Sequence, residues 1–102
     1  MIYRVKNWYF VPFGEPVKAS STIIPKISKG KLIKGKLSEG KLPDEVATGD
    51  TWPTNHKKLA RDPFGGIRKD LVCRAIDENG VSREFRFPES QVGNKTIIIK
   101  IP

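Results

Sequence analysis

Few residues in this chain are of a type that could do covalent or metal chemistry. His56 is the only histidine and Cys73 the only cysteine, and Asp50 and Asp62 are the acids nearest the histidine. A zinc site needs several His or Cys ligands at short spacings, and no such pair occurs. A Ser-His-acid triad could be assembled only by arbitrary choice among the serines. Cys73 falls mid-strand on the face assigned below to the core, where a thiol is an inert small hydrophobe. Asp44, Glu45 and Asp50 could gather a cation, but their spacing matches no calcium loop, and a solvated turn suits them better. Gly-Lys-Leu lacks the strand–turn–helix setting of a phosphate-binding loop. The expectation is a protein that is not an enzyme and uses no metal and no cofactor.

What does cluster is lysine. The stretch PKISKGKLIKGKLSEGKLPD, residues 25–44, contains Gly-Lys-Leu three times, beginning at Gly30, Gly35 and Gly40. Lys26, Lys29, Lys31, Lys34, Lys36 and Lys41 face only Glu39 and Asp44 in charge. The net charge of +8 is correspondingly lopsided, with nine Lys/Arg and two Glu in residues 1–43 against ten Lys/Arg and nine Asp/Glu in the remainder. A one-sided positive field points to a polyanionic partner. Long-stemmed point charges on a Gly-rich chain can follow an irregular phosphate backbone without reading its bases. A merely solvated loop is the competing explanation, with equal weight. Trp8, Tyr9, Phe10 and Trp52 are candidate base-stacking groups. For Trp8 and Phe10, a place in the core is an even alternative.

The elements that must carry these residues are strands. A chain of 102 residues is expected to form one domain, residues 1–102. Eight prolines and nine glycines favour short strands and many turns over long helices. IYRVKNWYFVPF reads as a first strand. It has Tyr3, Val5, Tyr9, Val11 and Phe13 on one face, and Ile2, Trp8 and Phe10 with Arg4 and Lys6 on the other. SSTIIPKI predicts a short second strand, kept at an edge or ended by Pro25. The five-residue repeat suits neither a strand nor a helix, because its leucines would change face or scatter. Residues 26–42 are therefore expected to form a long basic Gly/Lys-rich loop. A single helical turn is expected at Pro43-Asp44-Glu45, stopped by Gly49, and another after Thr54 or Asn55. DPFGG predicts a turn anchored by Phe64.

DLVCRAIDENGVSREFRFP predicts a β-hairpin around Asp77-Glu78-Asn79-Gly80, in one of two registers. A two-residue Asn-Gly turn pairs Arg74 with Phe85. A turn with Gly80 as a left-handed bulge pairs Asp77 with Val81, Leu71 with Phe87, Cys73 with Phe85 and Arg74 with Glu84. The second is preferred, because it gives an apolar face and an oppositely charged cross-strand pair together. KTIIIKIP is expected to be a deeply buried last strand.

Around REFRFPESQV the chain resembles an SH3-like barrel, in which a hairpin, a short 3₁₀ turn and a closing strand follow one another. Pro88, Ser90 and Val92 are similar to that family's Pro-Ser-Asn-Tyr-Val turn. The segment also looks like the Pro-Lys-Ser-Gln-Ile/Val turn of short phage and bacterial proteins of unassigned function. The resemblance covers about the last third of the chain. It implies a mainly β, small SH3-like barrel carrying the basic loop and one or two helical turns. It does not extend to proline-rich peptide recognition, because the acidic peptide-binding loop is not evident.

Together these readings predict a non-catalytic nucleic-acid-binding module. Lys26, Lys29, Lys31, Lys34, Lys36 and Lys41 would contact the phosphates of DNA or RNA, with Trp8 or Phe10 available to bases. The alternative is a small phage-type regulator or inhibitor that docks on an acidic host protein. A cytoplasmic location is expected, since one cysteine allows no intrachain disulfide and the N-terminus has no apolar leader. TIIIKI is too short to cross a bilayer, so membrane insertion is not expected.

Overall fold

The computed structural model describes residues 1–18, 21–24, 26–27, 42–55, 67–90 and 96–102. Among these the protein is mainly β, with no helix. The long first strand, β1 (Ile2–Pro12), is the spine of a five-stranded antiparallel sheet. One of its edges pairs with β2 (Thr22–Ile24) and with β5 (Glu45–Ala47). Its other edge pairs with β7 (Lys69–Ile76), which in turn pairs with β8 (Ser82–Pro88). Two smaller ladders complete the set. β3 (Lys26–Ile27) runs parallel to β4 (Leu42–Pro43), and β6 (Thr51–Asn55) runs antiparallel to β9 (Thr96–Lys100). These are three separate sheets, and among the described residues they do not close into a barrel.

β1 departs from the simple alternation expected of it. Val5 pairs with Ala75 and Asn7 with Arg74, so Lys6 is an extra residue and the strand carries a bulge there. A bulge shifts the phase of every side chain after it. Tyr3 and Val5 face the core before the bulge, and Trp8 and Phe10 face it afterwards. Tyr9 and Val11, expected to share a face with Tyr3 and Val5, lie on the opposite side. This correction could not be read from a single strand, because the bulge is defined only against β7.

The core lies between the inner face of the large sheet and the β6–β9 ladder. Trp8, Phe10, Leu71, Cys73 and Phe87 come from the sheet, and Trp52, Ile97, Ile99 and Ile101 from the ladder and the residue after it. The rings of Trp8 and Trp52 meet edge to face, 6.3 Å apart, and Tyr3 meets Phe85 in the same way at 5.0 Å. β9 is not buried on both faces as its aliphatic run suggests, for Ile98 is 59% exposed between two buried isoleucines.

The hairpin β7–β8 has the preferred register. Leu71 is opposite Phe87, Cys73 opposite Phe85 and Arg74 opposite Glu84. The Asp77 N–H donates to the Val81 carbonyl at 3.0 Å, and Gly80 has φ of +78°. The helical turn expected at Pro43-Asp44-Glu45 is instead extended, split between β4 and β5. Thr54 and Asn55 end β6, and the helical turn expected after them lies outside the described residues. The Val5 N–H donates to the Asp44 carbonyl at 2.7 Å, so this segment meets its hydrogen-bonding needs by lying along β1. The turn at DPFGG lies outside the described residues.

Candidate nucleic-acid interface

The lysine-rich segment leaves and re-enters the described structure at one place. Lys26 pairs with Leu42 and Ile27 with Pro43 in the parallel β3–β4 ladder, so the two ends of the segment lie side by side. Leu42 is fully buried, and so is Trp8, whose indole Nε1–H donates to the Pro43 carbonyl at 2.7 Å. Proline contributes no N–H to a ladder, but its carbonyl is a full acceptor, and this one is satisfied from the core. β5 then fastens the returning chain through Val46 opposite Tyr3.

Of the candidate contact residues, Lys26 has its backbone in β3. Lys29, Lys31, Lys34, Lys36 and Lys41 lie outside the described residues. Trp8 and Phe10 are both 0% exposed, which corrects their reading as stacking platforms. A base needs an open ring face, and in this fold neither ring has one. Trp52 is likewise buried, whereas Tyr9 is half-buried on the outer face of the sheet, with the Arg74 guanidinium 5.8 Å from its ring centre.

That outer face holds charges that the near-neutral balance of the C-terminal half concealed. Arg74 contacts Glu84 at 3.2 Å, and Arg86 contacts Glu84 at 3.5 Å and Asp70 at 2.8 Å. Asp70 Oδ2 also accepts from the Gly14 N–H at 3.1 Å, and Arg86 donates to the Glu15 carbonyl, so the chain after β1 is tied down across the sheet. At the hairpin tip, Asp77 is buried and accepts from the N–H groups of Asn79 and Val81. The Val81 hydrogen bond is the main reason its carboxyl titrates below the ordinary aspartate range. Burial opposes that shift, and the Asn79 N–H and Arg83 at 3.1 Å add to it. The one signal for this network in the sequence was the pairing of Arg74 with Glu84.

Lys69 and Glu89 form a second kind of pair, buried at 0% and 2% exposure and 3.4 Å apart. Cys73 is buried in the core cluster, and His56 lies outside the described residues. Among the described residues no three His, Cys, Asp or Glu side chains gather as metal ligands, and no helix is long and apolar enough to cross a membrane. No family model, curated protein or solved structure matches this chain.

Proposed function

We propose that this protein is a non-catalytic nucleic-acid-binding module that contacts the phosphate backbone through the lysines of residues 26–42. The observation that carries the reading is a concentration of charge on a fixed base. Six lysines against a single glutamate fall within residues 26–42, and the β3–β4 ladder with the Trp8–Pro43 hydrogen bond holds the ends of that segment together. Six like charges close together in sequence raise the local field a polyanion meets. With Trp8 and Phe10 committed to the core, binding rests on phosphate contacts and is insensitive to base sequence. The accompanying fold reading is an SH3-like order of elements in which, among the described residues, the sheets stay open. It is supported by the succession of the β7–β8 hairpin, Pro88 to Ser90 and β9.

The test is titration of single-stranded DNA and RNA at low salt. Binding that weakens steeply with salt is expected, and absence of binding at low salt overturns the reading.

A second reading, a phage-type regulator docking on an acidic host protein, is favoured by one feature. β8 is an edge strand among the described residues and displays Arg83 and Arg86. An edge can be extended by a partner's strand. Capture of one stoichiometric protein that survives nuclease treatment supports this reading over the first, and nuclease-sensitive recovery of many proteins does the reverse.

A further inference from the structure

β8 is the outer strand of the large sheet, and among the described residues its far edge pairs with no other strand. The Asp77 N–H bonds to the Val81 carbonyl and the Glu89 N–H to the Lys69 carbonyl, so the hydrogen-bonded pairs of the hairpin fall at Arg83, Phe85 and Phe87. Ser82, Glu84 and Arg86 therefore direct their backbone N–H and C=O groups away from β7. We propose that the occupant of this edge is β8 of a second copy of the chain, paired antiparallel about a two-fold axis at Phe85. The proposal goes beyond the nucleic-acid reading and does not depend on it, and it is a rival to the host-protein reading for the same edge.

Charge selects both the occupant and the register. Pairing centred on Phe85 sets Glu84 opposite Arg86 of the other copy, and Arg86 opposite Glu84 of the other copy. Glu84 then stands between two arginines on one face of the joined sheet, Arg74 at 3.2 Å on β7 and Arg86 of the other copy. Arg86 also meets its own Glu84 at 3.5 Å, so the side chains around the axis form one cluster of alternating sign. The hydrogen-bonded pairs of this register join Glu84 to Arg86, and both have outward backbone groups to give. A register centred on Glu84 matches the hydrogen bonds equally, but it brings two carboxylates face to face.

The core-side face agrees. Phe85 is half-buried against Tyr3 and lies opposite Cys73. In the proposed pairing the two Phe85 rings are cross-strand neighbours at a non-hydrogen-bonded site, where side chains approach most closely. Their remaining exposed surface leaves water together. Arg83 shares that face, but its contact with the buried Asp77 at 3.1 Å draws it toward the hairpin tip, away from the axis. Edge strands are commonly guarded by a proline or a bulge. β8 has no proline before its last residue, Pro88, and no bulge in its pairing with β7.

The experiment is sedimentation velocity on the full chain over a concentration series. Salt is held at about 0.15 M, so that repulsion between two chains of +8 is screened. A monomer–dimer equilibrium is expected. Amide hydrogen exchange over the same series locates the interface. The Glu84 and Arg86 amides should slow about tenfold once about nine-tenths of the chains are paired, since only the unpaired chains exchange there. Amides of β2, at the opposite edge of the sheet, should keep their rates. Glu84→Arg sets like charges opposite each other twice and should weaken the dimer about tenfold or more, with retained amide dispersion showing that it is folded. A chain that stays monomeric up to about 1 mM overturns the proposal. So does a dimer in which the Glu84 and Arg86 amides exchange alike at every concentration, because the copies then meet elsewhere. A folded Glu84→Arg variant that dimerises as tightly as the parent also overturns it. The exchange measurement needs no variant, so it decides the matter even if Glu84→Arg does not fold.

Discussion

The indole Nε1–H of Trp8 donates to the carbonyl oxygen of Pro43 across 2.7 Å, in the interior of the protein. The bond joins the middle of β1 to the point where the lysine-rich segment rejoins the fold. It gives Trp8 a task other than stacking on a base, for it holds the base of the charged segment from inside.

Replacing Trp8 by Phe removes that donor and leaves a void. A buried carbonyl without its partner, together with the missing ring volume, should cost about 2–4 kcal/mol in urea unfolding. Under conditions where the variant is still folded, its affinity for an oligonucleotide should stay within about twofold of the parent, since a structural residue carries no phosphate contact. Weaker binding at unchanged stability would return Trp8 to the role of a base contact.

Gly80 has φ of +78°, and a Cβ built on it meets nothing within 4 Å. Gly80→Ala therefore encounters no clash, only the backbone penalty of a left-handed residue. Unfolding measurements should show a loss of about 1–2 kcal/mol. A neutral result would mean that the hairpin does not use this turn.

The depressed titration of Asp77 sets a direction for acid stability. A carboxyl whose folded pKa is lowered contributes stability above its unfolded value, near 3.9. That contribution is lost as pH falls from there through the folded value. Unfolding followed between about pH 2 and 5 should thus show stability rising with pH, in the window where free aspartates titrate. Asp77→Asn should lack this component and show a flatter profile. An unchanged profile would place the acid sensitivity elsewhere.

The two kinds of ion pair should behave differently. Arg74 and Glu84 are 45% and 40% exposed, so a double-mutant cycle should give a coupling of about 0.2–1 kcal/mol that shrinks with salt. Glu89→Ala removes one partner of this buried pair and should cost about 3–5 kcal/mol, with little salt dependence.

How far the sequence could be read varied with how many constraints met at each place. In the hairpin, the apolar pairs Leu71–Phe87 and Cys73–Phe85, the Arg74–Glu84 charges and the glycine at position 80 all specified one register. In β1 a single residue, Lys6, reversed the phase. No property of Lys6 announces a bulge, since a bulge belongs to the pairing of two strands. The short strands β4, β5 and β6 contain Pro43 and Pro53, which speak against strands in isolation. They form because β3 satisfies β4, the edge of β1 satisfies β5, and β9 satisfies β6. Ile98 hid the alternation of β9, because an exposed isoleucine looks like a buried one. The cations around Arg74 and Arg83 were invisible to a charge count, since the acids of the same half offset them. Only folding separates the two signs in space.

The central claim is that the lysines of residues 26–42 touch phosphates. Its most direct test is the salt dependence of single-stranded oligonucleotide binding, compared between the parent protein and a Lys31→Gln, Lys34→Gln, Lys36→Gln variant. Removing one lysine–phosphate interaction should lower the magnitude of the logarithmic slope by about 0.7, so the triple variant should fall by about 2 and bind more weakly at every salt concentration. Equal slopes and equal affinities for the two proteins would contradict the claim.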